Sequence, residues 1–142
     1  MTHLRTVELI IFFISIIMTN ISIDKIKLEI VSQAIEDTHG LYEIIWTLNT
    51  LYPDLSSADK IKQSQIAIQD LITENVIDLY KNNWDTKLEQ KLEKQTALTV
   101  ISNISSWDPP SDNSKGDYYC FYASGDKAIA IEKDLYQKIN QL

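Results

Sequence analysis

At 142 residues, with 44% apolar and 23% charged side chains, the chain fits one domain with a buried core, which excludes a disordered polymer. Its net charge of −7 lies wholly on residues 24–142, where 12 Lys face 19 Asp and Glu. Polyphosphates and anionic lipid surfaces are therefore disfavoured partners, and proteins, basic ones above all, are favoured.

Residues 1–23 form an apolar N-terminal segment and residues 24–142 the domain. The run Leu-Ile-Ile-Phe-Phe-Ile-Ser-Ile-Ile-Met from Leu9 to Met18 matches a signal-peptide core and falls short of the roughly 20 residues of a membrane span. Arg5 and Glu8 make a weak export leader, and Asn20-Ile21-Ser22 is a poor cleavage site. Four readings stay open: an uncleaved anchor, a cleaved signal, a helix packed on the domain or a partner, and a start at Met18. The expectation for the domain is a cytoplasmic one, membrane-tethered through residues 7–23 under the anchor reading.

Asp24 is placed to cap a helix running to about Thr38, with Ile26, Ile30, Val31, Ala34 and Ile35 on one face. Gly40 is placed to end it in a left-handed conformation. A second helix is expected from Leu41 to Tyr52, with a stripe of Leu41, Ile44, Ile45 and Leu48, and Pro53 stops it. Ser56 or Ser57 caps a third helix to about Thr73, carrying Ile61, Ile68, Leu71 and Ile72. Asn75 serves as a turn residue before a strand over Val76–Tyr80, which Asn82-Asn83 breaks. Asp85 is expected to cap a fourth helix over 86–102, with Leu88, Leu92, Leu98 and Ile101 as apolar contacts and Trp84 stapling its start. Two like-charged pairs, Lys87 with Lys91 and Glu89 with Glu93, weaken that helix. Residues 105–117 read as a loop, Tyr118–Ala123 as an aromatic strand and Ser124-Gly125-Asp126 as a turn. The chain from 127 to 132 fits either a hairpin strand or a helix. The helix beginning near Asp126 is preferred, because Leu135, Tyr136 and Ile139 continue its period.

The stretch Asp70-Leu71-Ile72-Thr73-Glu74-Asn75-Val76-Ile77-Asp78-Leu79-Tyr80 resembles the recognition-helix end and first wing strand of winged helix-turn-helix domains. The resemblance implies that helices two and three form the turn motif and that Val76–Lys81 pairs with Tyr118–Ala123 as the wing hairpin. The implied architecture is α+β and mainly helical: a winged-helix-like three-helix core, a two-stranded hairpin and an inserted helix.

For DNA binding, the resemblance points to a recognition helix over 58–73, whose candidate base-reading face is Lys60, Lys62, Gln63 and Gln65. The domain has no arginine, the commonest base and phosphate reader, which counts against that use. Catalytic patterns are missing too: there is no Gly-rich phosphate loop and no Gly-x-Ser-x-Gly elbow. The one local cluster of metal-ligand types, Glu36-Asp37-Thr38-His39, reads as a solvated helix end. No cofactor or metal is expected, and the chain reads as non-enzymatic. Cys120 is expected to be a buried structural thiol.

The aromatic strand is more informative. Alternation sends Tyr118, Cys120 and Tyr122 to one face and Tyr119 and Phe121 to the other, and one face must be core. Tyr119 and Phe121, together with Trp107 in the Pro-bearing loop, are the candidate partner-binding residues, because Trp and Tyr are favoured hot-spot residues. The expected function is an acidic protein-interaction domain that neutralises or regulates a basic partner, as an immunity protein does. A DNA-binding regulator and a membrane-tethered accessory protein are the alternatives.

Overall fold

The computed structural model describes residues 23–110 and 116–140, so the expectations for residues 1–22 lie outside it. Among the described residues no helix is long and apolar enough to cross a membrane. The order of elements is α1 (residues 23–36), β1 (His39–Gly40), α2 (Leu41–Leu51), α3 (Ser57–Thr73), β2 (Ile77–Asn83), β3 (Glu89–Lys91), α4 (Lys94–Ser102), a 3-10 turn (Ile104–Trp107), β4 (Asp117–Ala123) and α5 (Lys127–Asn140). The protein is α+β, with an open antiparallel sheet in the order β1-β4-β2-β3 whose buried residues join those of the helices in one core.

The expected face of α1 is its buried face, Ile26, Ile30, Val31 and Ala34. Asp24 is not its cap. It lies within the helical stretch, and its carboxylate pairs with Lys138 of α5 at 3.0 Å. A second tie between the two helices runs from Ser32 Oγ, which donates to Glu132 at 2.8 Å. The helical preference for residues 127–140 holds, with Ala128 and Leu135 buried.

Gly40 does not terminate α1 in a left-handed turn. Its φ of −75° is ordinary, it pairs with Cys120, and it precedes the first turn of α2. What position 40 requires is space, because a Cβ there would run into the Tyr42 ring. The Gly40 N–H donates to the Glu43 carboxylate at 2.6 Å, satisfying a group at the helix start that has no intrahelical acceptor.

Ser56 caps α3 as expected, its Oγ accepting the Asp59 N–H at 3.1 Å. The far end closes in a Schellman motif. Asn75, at φ 60°, donates from its N–H to Ile72 O at 3.0 Å, and the Val76 N–H donates to Leu71 O at 2.8 Å. This turn throws Ile77 and Leu79 directly under the helices, where both are buried.

Pairing of β2 with β4 runs from Ile77 opposite Ala123 to Asn83 opposite Asp117, so the two strands of the expected hairpin do lie side by side. Asn82 and Asn83 extend β2 instead of breaking it. The expected fourth helix is corrected over its first half. Asn83 Oδ1 accepts the N–H groups of Asp85 and Thr86 at 3.0 and 2.9 Å, and Lys87 takes a φ of 60°, which closes a hairpin. The chain returns as β3, where Lys91 finds Asp78 at 3.4 Å and Glu89 accepts from the Tyr122 hydroxyl. One charge of each repelling pair, Lys91 and Glu89, thus finds a partner in a strand, and α4 begins only at Lys94.

Candidate functional site

Residues directly opposite in an antiparallel ladder share a face. The register therefore puts Ile77, Leu79 and Phe121 on the inner side of the sheet. Asp78, Tyr80, Asn82, Glu89, Lys91, Tyr118, Cys120 and Tyr122 fall on the outer side. Phe121 is fully buried, and Tyr119 packs half-buried against the same core. Trp107 is only 3% exposed, and its Nε1–H donates to Ile101 O at 3.0 Å. The three aromatic residues read from sequence as partner-binding thus belong to the inner layer, and Trp107 and Phe121 present no ring surface outward.

The outward aromatic residues are the other set. Tyr80 and Tyr122 pack edge to face with ring centroids 4.6 Å apart, the arrangement that ring quadrupoles favour. The Asn82 amide donates toward Cys120 Sγ at 3.6 Å. Because Gly40 shares this side opposite Cys120, the missing Cβ there makes room for the Tyr42 ring of α2, which in turn meets Trp46 at 4.9 Å. At the hairpin turn Trp84 packs against Tyr118 at 5.8 Å, with Lys87 Nζ 4.5 Å above its ring. The result is a belt of Trp46, Tyr42, Tyr118, Trp84, Tyr80 and Tyr122 along the outer side of the sheet, with Trp46 and Trp84 about half exposed and the tyrosines partly buried. The carboxylates of Asp78, Glu89 and Glu43 edge it, with Lys91 paired to Asp78 and Lys87 over Trp84. The signal that distinguishes the faces is in the partner strand: buried Ile77 and Leu79 draw Phe121 and Tyr119 to their side.

Burial raises the titration of Tyr122, helped by its bond to Glu89, and likewise raises that of Tyr42, helped by Glu43. Cys120 sits beneath the belt, 4% exposed, in keeping with the buried structural thiol expected of it. Desolvation, followed by the charges of Glu43 and Glu89, pushes its thiol up to about 12, so it is protonated at neutral pH and is a poor nucleophile. Two results are expected. In the folded chain at pH 8 a thiol reagent leaves Cys120 unmodified, and denaturant makes it titrate fully. Because the folded form holds this proton more tightly than the unfolded one, the thiol's contribution to stability is complete below its ordinary value of 9.0 and declines as pH rises toward about 12. Rapid labelling of the native chain would contradict the placement.

The recognition-helix candidates are scattered by the packing of α4 on α3. Lys60 is buried at 6% exposure, Gln63 is half-buried, and Gln65 donates to Ile101 O at 3.0 Å. One turn further on, Gln69 donates to Ser102 Oγ at 3.3 Å. Only Lys62 of the four points freely outward. Its exposed neighbours on α3 are Asp59, Ile66 and Asp70, the last paired with Lys27 at 3.0 Å. His39 lies 3.4 Å from Glu43 and against Phe121 rather than in a ligand cluster. Among the described residues no three His, Cys, Asp or Glu side chains converge as metal ligands. A groove of about 480 Å³ between α1 and α5 is lined by Ser32, Glu132, Lys133, Tyr136 and Gln137, and there the Ser32 hydroxyl is held by the Glu132 carboxylate at 2.8 Å as a tie between the two helices.

Comparison with protein-family models, with curated proteins and with solved structures finds no match to this chain.

Proposed function

We propose that the chain is a non-enzymatic protein-interaction domain of winged-helix type, and that the outer side of its sheet receives a basic protein partner. The observation that carries this reading is the belt of tyrosine and tryptophan on the outer side of the sheet, to which α2 contributes Tyr42 and Trp46. Such rings offer large contact area for little lost side-chain freedom and dominate interface energetics. Asp78, Glu89 and Glu43 around it, and the net charge of −7, suit a cationic surface and would speed its approach. Neutralising a basic partner, in the manner of an immunity protein, is the role that fits. Support for the winged-helix assignment is the order of a three-helix unit followed by two adjacent antiparallel strands, with β3 and α4 inserted between them.

The placement of α3 disfavours the DNA-reading alternative. Of the four candidates Lys60 is buried and Gln65 is taken up by the carbonyl of Ile101, which leaves Lys62 as the one exposed cation among them, one helical turn from Asp59.

A lysine-rich peptide is a direct probe. Titrated into the isotope-labelled chain, it is expected to shift the backbone resonances of residues 78–82 and 118–122 first. Tyr118→Ala and Tyr122→Ala are each expected to weaken its binding by about tenfold, the scale of a moderate hot spot. Shifts spread evenly over the acidic surface, with no response to either substitution, would overturn the assignment of the face.

A further inference from the structure

Among the described residues nothing pairs with the far side of β3, the last strand in the sheet. Its backbone is nevertheless well oriented. Leu92 N–H donates to Leu79 O at 2.9 Å and Asn83 N–H donates to Leu88 O at 3.0 Å. Residues 88, 90 and 92 therefore turn their peptide groups toward β2, and the intervening Glu89 and Lys91 turn theirs away, leaving two donors and two acceptors on an open edge. All three residues of β3 are exposed, and Leu88 beside them is 71% exposed, the most exposed large apolar side chain among the described residues.

We propose that this edge pairs with itself: a second copy of the chain adds its β3 antiparallel across a twofold axis through Gln90. The pattern Glu89-Gln90-Lys91 is self-complementary under that operation. Reversing it sets each Glu89 opposite the partner's Lys91, so both opposed pairs join unlike charges. The same register makes both of these the hydrogen-bonded pairs of the ladder, for four backbone hydrogen bonds, and leaves Gln90 facing the partner's Gln90 in the closer, unbonded position. On the other face Leu88 meets the partner's Leu92 and loses its exposure. No other occupant is indicated as directly. A basic partner would leave Lys91 facing like charge, and an acidic one would do the same to Glu89. A short, charged strand is also a common device for discouraging edge pairing, and the following experiment separates the two uses.

Sedimentation equilibrium of the full chain over micromolar to millimolar concentrations is expected to show a reversible monomer–dimer exchange. Lys91→Glu and Glu89→Lys each place like charges opposite one another twice and are expected to weaken the dimer at least about tenfold. The double exchange Glu89→Lys with Lys91→Glu is expected to recover most of the lost affinity, because the complementarity across the axis is rebuilt with its signs reversed, while the pair Lys91 makes with Asp78 in its own chain is lost. Both single variants should keep the parent's circular dichroism, since β3 lies outside the core. A chain that stays monomeric throughout would overturn the proposal. So would a dimer indifferent to the single reversals, or one that the double exchange fails to rescue.

Discussion

Phe121→Ala is expected to cost about 3–5 kcal/mol, enough to leave a domain of ordinary stability barely folded. Phe121 is fully buried in the middle of β4, opposite both Leu79 and His39, so its ring fills the space where the sheet meets the helices. Truncation removes apolar surface and leaves a cavity that two flanking strands hold open. Urea unfolding followed by far-ultraviolet circular dichroism measures the cost. Tyr122→Ala, one residue on, faces the other way and should cost much less. A Phe121→Ala chain with undiminished stability would restore the residue to the surface role that its aromatic character alone suggests.

Trp107→Ala is the second large effect, again about 3–5 kcal/mol. The indole closes the layer between α4 and β4, and its N–H occupies the Ile101 carbonyl, which also accepts from Gln65. Trp107→Phe keeps much of the volume and loses that bond, and should cost about 1–3 kcal/mol. Fluorescence offers an independent reading. Trp46 and Trp84 are about half exposed and Trp107 is buried, so a blue-shifted component of the native emission is expected from Trp107. In Trp107→Phe the native and unfolded spectra should nearly coincide. An unchanged blue-shifted band in that variant would show that the buried indole is elsewhere.

Helices α2, α3 and α5, the Asn75 turn and the strand character of β2 and β4 were legible because each carries a local physical signature, whereas the pairing of β2 with β4 was only what the resemblance implied. Apolar residues recur at helical spacing, Ser56 can cap, Asn tolerates a positive φ, and β-branched or aromatic runs alternate. Strand β3 was not legible, since Glu89-Gln90-Lys91 has no apolar residue to set a period and is held only by β2 and a few polar contacts. Its absence from the reading then lengthened the helix after it. The face of β4 was a matter of parity: two alternating sets of aromatic residues are equally plausible until Ile77 and Leu79 fix which side is inward. That Lys60, Lys62, Gln63 and Gln65 do not share one exposed helix face has a nonlocal reason. No pattern within α3 reveals that α4 will lie across it and take Gln65 onto the carbonyl of Ile101.

The insertion of residues 84–116 between two strands that must become neighbours has a bearing on how the chain assembles. The turn into β3 can close as soon as it leaves the ribosome, yet β4, which sits at the centre of the sheet, is made much later and must close a long loop to reach its slot. Until then β2 has one edge satisfied and one unsatisfied, with Ile77 and Leu79 beneath an incomplete roof. A nascent chain stalled before residue 117 would thus be the most aggregation-prone species of this protein and a natural client for a chaperone.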